Sequence, residues 1–188
     1  MARDVTAEIL TSYAAHGPGA YFGERVSMTE HALQTAHFAR EAGAPEALVL
    51  AALLHDIGHL LERLPAEIAD WTADAHHETL GARWLAERFA LEISEPVRLH
   101  VAAKRYLCAT DPNYLAKLSP ASVHTLKLQG GPMAAAAVAR FERESYFSEA
   151  VQVRRWDDEG KVADLRTAPL ESYAGLITRF ARPAWFAM

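Results

Sequence analysis

The sequence predicts an all-α fold. Apolar residues recur at helical spacing along most of the 188 residues, alanine is abundant, and glycine and proline fall between the periodic segments. The alternating pattern of a half-buried strand is almost absent. Hydrophobic residues make up 51% of the chain, enough to bury a sizeable core. We therefore expect a single helical domain over residues 1–188, with no internal repeat.

The N-terminal half contains a helix that is apolar on nearly every face. It begins at Pro45, a residue suited to the first turn, and the preceding helix ends at Gly43, a typical C-cap. Such a helix belongs at the centre of a bundle. An irregular connection over residues 60–73 follows it. In chain order, the predicted helices span residues 7–14, 30–42, 45–54, 74–89, 96–106, 120–127, 133–144, 148–154 and 170–180.

Start and stop signals define the later helices. Asp74 is a predicted N-cap, Pro96 a predicted helix start, and Ser119 with Pro120 an N-cap and first-turn pair. Residues 129–132 form a predicted turn between the sixth and seventh helices. A polar turn over residues 157–161 is predicted to end the eighth.

Composition limits the class of protein. The net charge of -5 and the lack of a basic run argue against nucleic-acid binding. No run approaches 18 consecutive apolar residues, so we expect no membrane span. The single cysteine, Cys108, cannot form an internal disulfide, and the N-terminus lacks a secretory apolar core. These features predict a cytoplasmic protein.

The most informative feature is the doublet His55-Asp56, which closes the apolar helix. Polar groups at the base of a buried helix need partners, and a metal ion satisfies an imidazole and a carboxylate together. Four imidazoles and two carboxylates are enough to hold two metals, and they offer no thiolate. A lone histidine is usually a surface or core residue, so the prediction depends on the whole set: His31, His55, Asp56, His77, His100 and Asp157.

These residues resemble the HD-domain superfamily, in which a His…His-Asp…Asp pattern binds metal. Two inserted histidines, His77 and His100, resemble the subset that holds two metals. Further stretches are similar to bacterial diiron oxygenases that cleave the carbon–phosphorus bond of hydroxylated aminoethylphosphonates. The matching stretches are residues 21–24, 30–31, 51–59, 100–107, 118–122, 129–133 and 155–161.

The resemblance implies an all-α HD-domain bundle with a mixed-valent Fe(II)/Fe(III) pair, O2 as co-substrate and release of phosphate. By this resemblance His31, His55, Asp56 and Asp157 hold the first iron, and Asp56, His77 and His100 hold the second. It also implies a small hydroxyphosphonate substrate supplied by an upstream hydroxylase.

Four residues are candidates for binding the phosphonate. Lys104 lies one helical turn after His100, where a cation beside metals suits an anionic ligand. His59 lies four residues after His55 and could donate to substrate oxygens. Ser122 lies near a helix start, where backbone N–H groups favour anions, and Gln129 precedes two glycines.

The loop containing Tyr21 and Glu24 is predicted to be a lid. In the resembling enzymes a tyrosine here can coordinate the second iron until substrate displaces it, while the glutamate holds the tyrosine. The sequence departs from the glycine-forming pattern at residues 25–28 and 60–75, where the amine end of a substrate would be read. Phe22, Trp71, Asp70 and Asp74 could surround a trimethylammonio group, and the choice between this group and a primary amine stays open.

Two other functions are compatible with the motif. One is metal-dependent phosphohydrolysis, in which a metal-activated water is the nucleophile. The other is a non-catalytic HD sensor that binds a phosphorylated ligand. The hydrolase needs no O2, whereas the complete ligand set weakens the sensor hypothesis.

Overall fold

The computed structural model describes residues 4–61 and 76–183, and within these ranges it is helical with no β-strand. An isolated bridge joins Ala20 and Ser27. The all-α prediction is confirmed. The helices are α1 (Val5–His16), α2 (Met28–Glu41), α3 (Glu46–Leu54), α4 (Ile57–Leu61), α5 (His77–Ala86), α6 (Leu91–Thr110), α7 (Pro120–Leu128), α8 (Ala135–Phe141), α9 (Phe147–Glu159) and α10 (Ala174–Phe180), with 3₁₀ turns at Leu115–Lys117 and Leu170–Tyr173.

Helix α3 lies at the centre of the bundle, as its apolar sequence predicts. Every residue from Leu48 to Leu54 is buried, and the helix packs against α2, α6, α9 and α10. Tyr13 of α1 donates a 2.8 Å hydrogen bond to the backbone carbonyl of Leu53. The centre of the bundle therefore holds the C-terminal end of α3, and the His55-Asp56 doublet that follows it, in a fixed position.

Caps explain where two helices begin. The α2 helix begins at Met28, two residues before the predicted start, because Ser27 and Glu30 form a reciprocal capping box. The predicted cap of α7 is confirmed: the Ser119 side chain accepts a hydrogen bond from the backbone N–H of Ser122 at 3.2 Å, and Pro120 is the first helical residue.

The predicted start of α6 at Pro96 is wrong, because the helix already begins at Leu91. A proline in the second turn removes one backbone hydrogen bond, but the apolar face that the earlier turn buries outweighs this loss. Ile93 and Val97 on this face are completely buried.

The predicted polar turn after residue 154 is also wrong, because α9 continues to Glu159. The buried residues Ala150, Val153, Arg154 and Asp157 follow helical spacing, so two charged side chains occupy positions on the inward face. Asp157 therefore lies within the last turn of α9 and points into the protein.

Smaller differences concern helix ends. Helix α8 is shorter than predicted at both ends, and α5 begins at His77 and ends at Ala86 rather than residue 89. The short helix α4 occupies the start of the predicted irregular connection. Residues 62–75, including Pro65, Asp70, Trp71 and Asp74, lie outside the described residues. No helix in the described ranges is long and apolar enough to cross a membrane.

Candidate metal centre

Six side chains from five places in the fold converge inside the bundle. Three of them are on α2, α5 and α6, one is on α9, and the doublet lies in the turn between α3 and α4. All are buried, with no more than 7% of any residue exposed. The structure thus brings together the whole predicted set: His31, His55, Asp56, His77, His100 and Asp157.

The first group in this cluster consists of His31, His55 and Asp157. The Nε2 atoms of the two imidazoles are 3.1 Å apart. Asp157 Oδ1 lies 3.5 Å from the Nε2 atom of His31 and 4.0 Å from that of His55. This oxygen is buried and has no hydrogen-bond partner among the described residues. Three potential ligand atoms therefore surround one point.

The second group consists of His77 and His100, whose Nε2 atoms are also 3.1 Å apart. Asp56 lies between the two groups. Its Oδ1 atom is 3.3 Å from His77 Nε2 and 3.5 Å from His100 Nε2, whereas its Oδ2 atom is 3.5 Å from His55 Nε2 and 3.7 Å from His31 Nε2. Each carboxylate oxygen of Asp56 thus faces a different pair of imidazoles.

Backbone carbonyls orient three of the four rings. The Nδ1 atoms of His31, His55 and His100 lie 2.9, 2.9 and 2.7 Å from the carbonyl oxygens of Gly160, Ala52 and Val97. A carbonyl only accepts, so each Nδ1 atom carries the hydrogen and each Nε2 atom faces the centre of the cluster. This is the arrangement that metal-binding histidines commonly adopt.

Close packing of α4 against the start of α5 places the second group. A Cβ atom at Gly58 would lie 2.0 Å from the backbone carbonyl oxygen of His77, so only glycine allows this approach. Gly81 is the nearest residue on the next turn of α5 and likewise has no side chain. The sequence analysis did not single out this glycine pair, although Gly58 lies two residues after the His55-Asp56 doublet, within the matching stretch 51–59.

The protonation states suit metal binding. Burial, with the neighbouring His55, lowers the pKa of His31 to about 3, which favours a neutral ring. Burial acts to raise the pKa of Asp157, but the guanidinium of Arg154, 2.5 Å away, holds that pKa well below its usual range. Burial acts to lower the pKa of His55, but the carboxylate of Asp56 raises it. A donor set of imidazoles and carboxylates, with an Asp157 oxygen that has no hydrogen-bond partner among the described residues, fits iron.

Arg154 is held by a buried network on the far side of Asp157. Its guanidinium also contacts the carboxylate of Asp158 and donates a 2.9 Å hydrogen bond to the phenol of Tyr114, which itself donates to Asp158. Arg154 is the structural ion pair and Arg155 is exposed.

A pocket with an empty volume of about 440 Å³, including solvent at its mouth, opens onto four of the six side chains: Asp56, His77, His100 and Asp157. All four predicted phosphonate-binding residues line this pocket: His59, Lys104, Ser122 and Gln129. The ring of His59 stacks on that of His77 with 3.9 Å between centroids. The side-chain Oε1 atom of Gln129 is buried without a hydrogen-bond partner among the described residues.

Two lysines reach the same wall of the pocket. Lys104 is only 3% exposed, and its ammonium donates a 3.0 Å hydrogen bond to Thr125. Burial, assisted by the nearby Arg154, lowers the pKa of Lys104 to about 7. Lys161 Nζ lies 3.2 Å from Ser122 Oγ and 3.6 Å from Asp157 Oδ1. The sequence analysis did not propose Thr125 or Lys161 as site residues.

The loop before α2 covers the cluster. Tyr21 donates a 2.7 Å hydrogen bond to Asp56 Oδ2, and its ring stacks on His31 with 4.0 Å between centroids. Glu24 lines the pocket, and its Oε1 atom is buried without a hydrogen-bond partner among the described residues. Phe22, also in the pocket wall, has a φ of 45° and packs edge-on against His59.

Comparison with known proteins identifies the family. The sequence pattern of the HD domain matches residues 28–157, a range that includes all six converging side chains. The chain belongs to the HD-domain family. The two imidazole pairs and Asp56 between them therefore lie within the HD domain, and the predicted HD-domain bundle is confirmed.

Two similar proteins have informative names. The chain is 47% identical over 163 residues to the [1-hydroxy-2-(trimethylamino)ethyl]phosphonate dioxygenase (glycine-betaine-forming) of Leisingera caerulea, covering 87% of this chain and 83% of that protein. It is 45% identical to a hydroxymethylphosphonate dioxygenase of Gimesia maris, covering 84% and 79%. An uncharacterised protein of Acanthamoeba polyphaga mimivirus is 33% identical over 92% of this chain and 80% of its own length.

Proposed function

We propose that this HD-domain protein is a diiron oxygenase that oxidatively cleaves the carbon–phosphorus bond of a 1-hydroxyphosphonate. The observation that carries the proposal is the position of Asp56, whose two oxygens face two separate pairs of imidazoles. A carboxylate in this position can bridge two metal ions. The relatives from Leisingera caerulea and Gimesia maris support the reaction class, because both are named dioxygenases of hydroxylated phosphonates.

The proposed ligand set divides between two irons around this bridge. His31, His55, Asp56 and Asp157 would hold the first iron, and Asp56, His77 and His100 would hold the second. The buried Oδ1 atom of Asp157, which has no hydrogen-bond partner among the described residues, supports the assignment of Asp157 to the first iron. A mixed-valent Fe(II)/Fe(III) pair would supply the activation of O2.

The reaction converts a hydroxylated carbon into a carboxyl group. In its neutral form it is written RCH(OH)PO₃H₂ + O₂ → RCOOH + H₃PO₄, so both oxygen atoms enter the products and no external reductant is consumed. The carbon that carries the hydroxyl is oxidised and O2 is reduced. The substrate requires a hydroxyl at the carbon attached to phosphorus, and an upstream hydroxylase would supply it.

The pocket wall that contains Lys104 and Lys161 is suited to the phosphonate. Lys104 and Lys161 supply cations, Ser122 and Thr125 supply hydroxyl groups, and the side-chain amide nitrogen of Gln129 could donate a further hydrogen bond. Charge-assisted hydrogen bonds to a dianion are among the strongest available to a protein. His59 would contribute a further donor from the metal side. These residues would bind and orient the phosphonate while Tyr21 and Glu24 close the pocket over it.

The proposal leaves open whether the substituent on the hydroxyl-bearing carbon of the substrate carries a primary amine or a trimethylammonio group. The relatives' names add hydroxymethylphosphonate, which has no amine at all. A quaternary ammonium needs aromatic faces or a carboxylate nearby. Phe22 and Glu24 line the pocket and could serve, which favours a cationic substituent.

The decisive experiment measures phosphate release from these three hydroxyphosphonates, with and without O2, by protein loaded with ferrous iron and a reductant. We expect O2-dependent release of phosphate together with one carboxylate product per phosphate. The same protein with Mn²⁺ or Ni²⁺ and a nitrophenyl phosphate ester tests the phosphohydrolase alternative. O2-independent hydrolysis of the ester, with no turnover of any hydroxyphosphonate, would overturn the proposal.

A further inference from the structure

His77 differs from the other three histidines of the cluster in what faces its Nδ1 atom. The other three Nδ1 atoms donate to neutral backbone carbonyls. The Nδ1 atom of His77 instead lies 3.7 Å from the Oε2 atom of Glu78, the next residue of α5. The second imidazole pair therefore has a carboxylate behind one of its rings.

Glu78 is buried in a way that is unusual for a glutamate. The residue is 9% exposed, and its Oε2 atom has no hydrogen-bond partner among the described residues. Its other oxygen accepts a long 3.4 Å hydrogen bond from Thr79 and lies 3.8 Å from Nδ1 of the exposed His76. An unpartnered buried carboxylate oxygen costs free energy. A donor that approaches Oε2 by a fraction of an ångström would remove this cost.

The backbone around His77 is fixed by its surroundings. Helix α5 begins at His77, and the residue before it, His76, has a left-handed φ of 50°. The carbonyl of His77 is in close contact with Gly58. The Cα of His77 is thus set by the fold, and the direction of its ring is left to the two side-chain torsions. Stacking on His59 restricts the plane of the ring, and a partner on Nδ1 would further restrict its rotation within that plane.

We propose that Glu78 is a positioning residue for the second metal. It would accept the Nδ1 hydrogen of His77, hold the ring with Nε2 facing the metal, and increase electron donation from Nε2 through its negative charge. This inference rests on the proposed two-metal function. It assigns to Glu78 no contact with substrate and no ligand bond of its own.

The position of Glu78 at the start of α5 offers a competing explanation for a carboxylate beside His77. Glu78 is the second residue of α5, and an acidic residue in a first turn stabilises any helix through its dipole. Glu92 is the second residue of α6 and is exposed, so it has the same relation to a helix start. Glu92→Gln is therefore a matched control for loss of a first-turn charge.

The test is a titration of the metal-free protein with Mn²⁺, with stoichiometry measured by equilibrium dialysis and affinity by calorimetry. In Glu78→Gln we expect the second Mn²⁺ to bind 10- to 100-fold more weakly than in wild type, with the first unchanged. Glu92→Gln should match wild type. Glu78→Asp, which retains the charge on a shorter side chain, should recover part of the lost affinity.

The possible outcomes separate this inference from the proposed function. Two Mn²⁺ bound equally tightly by wild type and Glu78→Gln would overturn the positioning role alone. Equal weakening of both metals in Glu78→Gln, or no recovery in Glu78→Asp, would also contradict it by indicating a general structural effect. A single Mn²⁺ in wild type would overturn the two-metal function and this inference together. Circular dichroism of each metal-free variant confirms that the helices are retained.

Discussion

The phenol of Tyr21 donates a 2.7 Å hydrogen bond to Oδ2 of Asp56, the carboxylate that lies between the two imidazole pairs. Burial, reinforced by the negative charge of Asp56, raises the pKa of Tyr21 well above its usual value, so the phenol is neutral and donates. The same Asp56 oxygen faces His31 and His55. A residue of the covering loop thus donates to an oxygen of the carboxylate that is the proposed bridge between two metals.

Tyr21→Phe should therefore destabilise the metal-free protein more than the iron-loaded protein. Without metal, the variant leaves a buried carboxylate oxygen without its donor, at a cost of about 1–3 kcal/mol. With iron bound, the metal would satisfy that oxygen. Thermal unfolding of both forms measures the difference. Tyr13→Phe is the control, because Tyr13 donates to a backbone carbonyl and should cost the same in both forms. An equal loss of stability in the metal-free and iron-loaded forms of Tyr21→Phe would contradict the prediction.

Iron-replete wild-type protein should contain about two irons per chain, and His77→Ala should contain about one. Removing one imidazole leaves the second position with too few ligands, while the first position keeps its own. Metal analysis by mass spectrometry provides the measurement, and O2 consumption should fall to background. His76→Ala is a neighbouring control, since the His76 side chain is 71% exposed. One zinc and no iron in wild type would argue against the diiron assignment.

Lys104→Ala should weaken hydroxyphosphonate binding without loss of iron. A charge-assisted hydrogen bond to the dianion contributes about 1.5–3 kcal/mol, which corresponds to a loss of roughly ten- to a hundredfold in affinity. Anaerobic titration of the iron-loaded protein with substrate measures this affinity. Lys127→Ala, at an exposed position of α7, should bind as wild type does. An unchanged affinity in Lys104→Ala would exclude Lys104 from the phosphonate site.

The free energy of unfolding of the wild type should depend on pH through Lys104, and this dependence should be absent from Lys104→Met. The pKa is about 7 in the folded protein and 10.5 for an ordinary lysine, so the unfolded chain binds more protons between these values. Wild-type stability should thus rise relative to the variant from pH 7 to 10.5. Between pH values below 7 and above 10.5, the difference in stability between wild type and variant should change by about 3–5 kcal/mol in favour of wild type, since one pKa unit corresponds to about 1.4 kcal/mol. Denaturant unfolding of the two metal-free proteins at pH 6 and pH 10 tests this, and a pH-independent difference would refute it.

Arg154→Met should destabilise the metal-free protein strongly. Arg154 is 3% exposed and its guanidinium lies 2.5 Å from Asp157, so its loss leaves a buried carboxylate without its counter-charge. Breaking such a pair costs about 3–5 kcal/mol. Urea unfolding is the measurement, and Arg155→Met at the exposed neighbouring position should change stability little. Similar effects of the two substitutions would show that the buried pair is not what stabilises α9.

Local patterns in the sequence were sufficient to predict most of the helices, though not all of their ends, and the candidate ligands. The apolar run before His55 predicted a central helix, which α3 is, and the Ser119-Pro120 pair predicted the start of α7. These features depend on neighbours within one or two turns, so they can be read from the chain alone. The start of α6 and the end of α9 were predicted wrongly, because burial of Ile93 and Asp157 extends those helices beyond what local signals indicate.

The sequence by itself determined which donor types the protein offers: four imidazoles and two carboxylates with no thiolate, in the order typical of an HD domain. The resemblance already implied two groups that share Asp56. Only the tertiary structure decided which oxygen of Asp56 faces each imidazole pair, and that Lys161, Thr125 and Glu78 lie beside them. Helical periodicity specifies which side chains share one face of one helix. Which faces meet is decided by packing between segments far apart in the chain, including the close contact at Gly58.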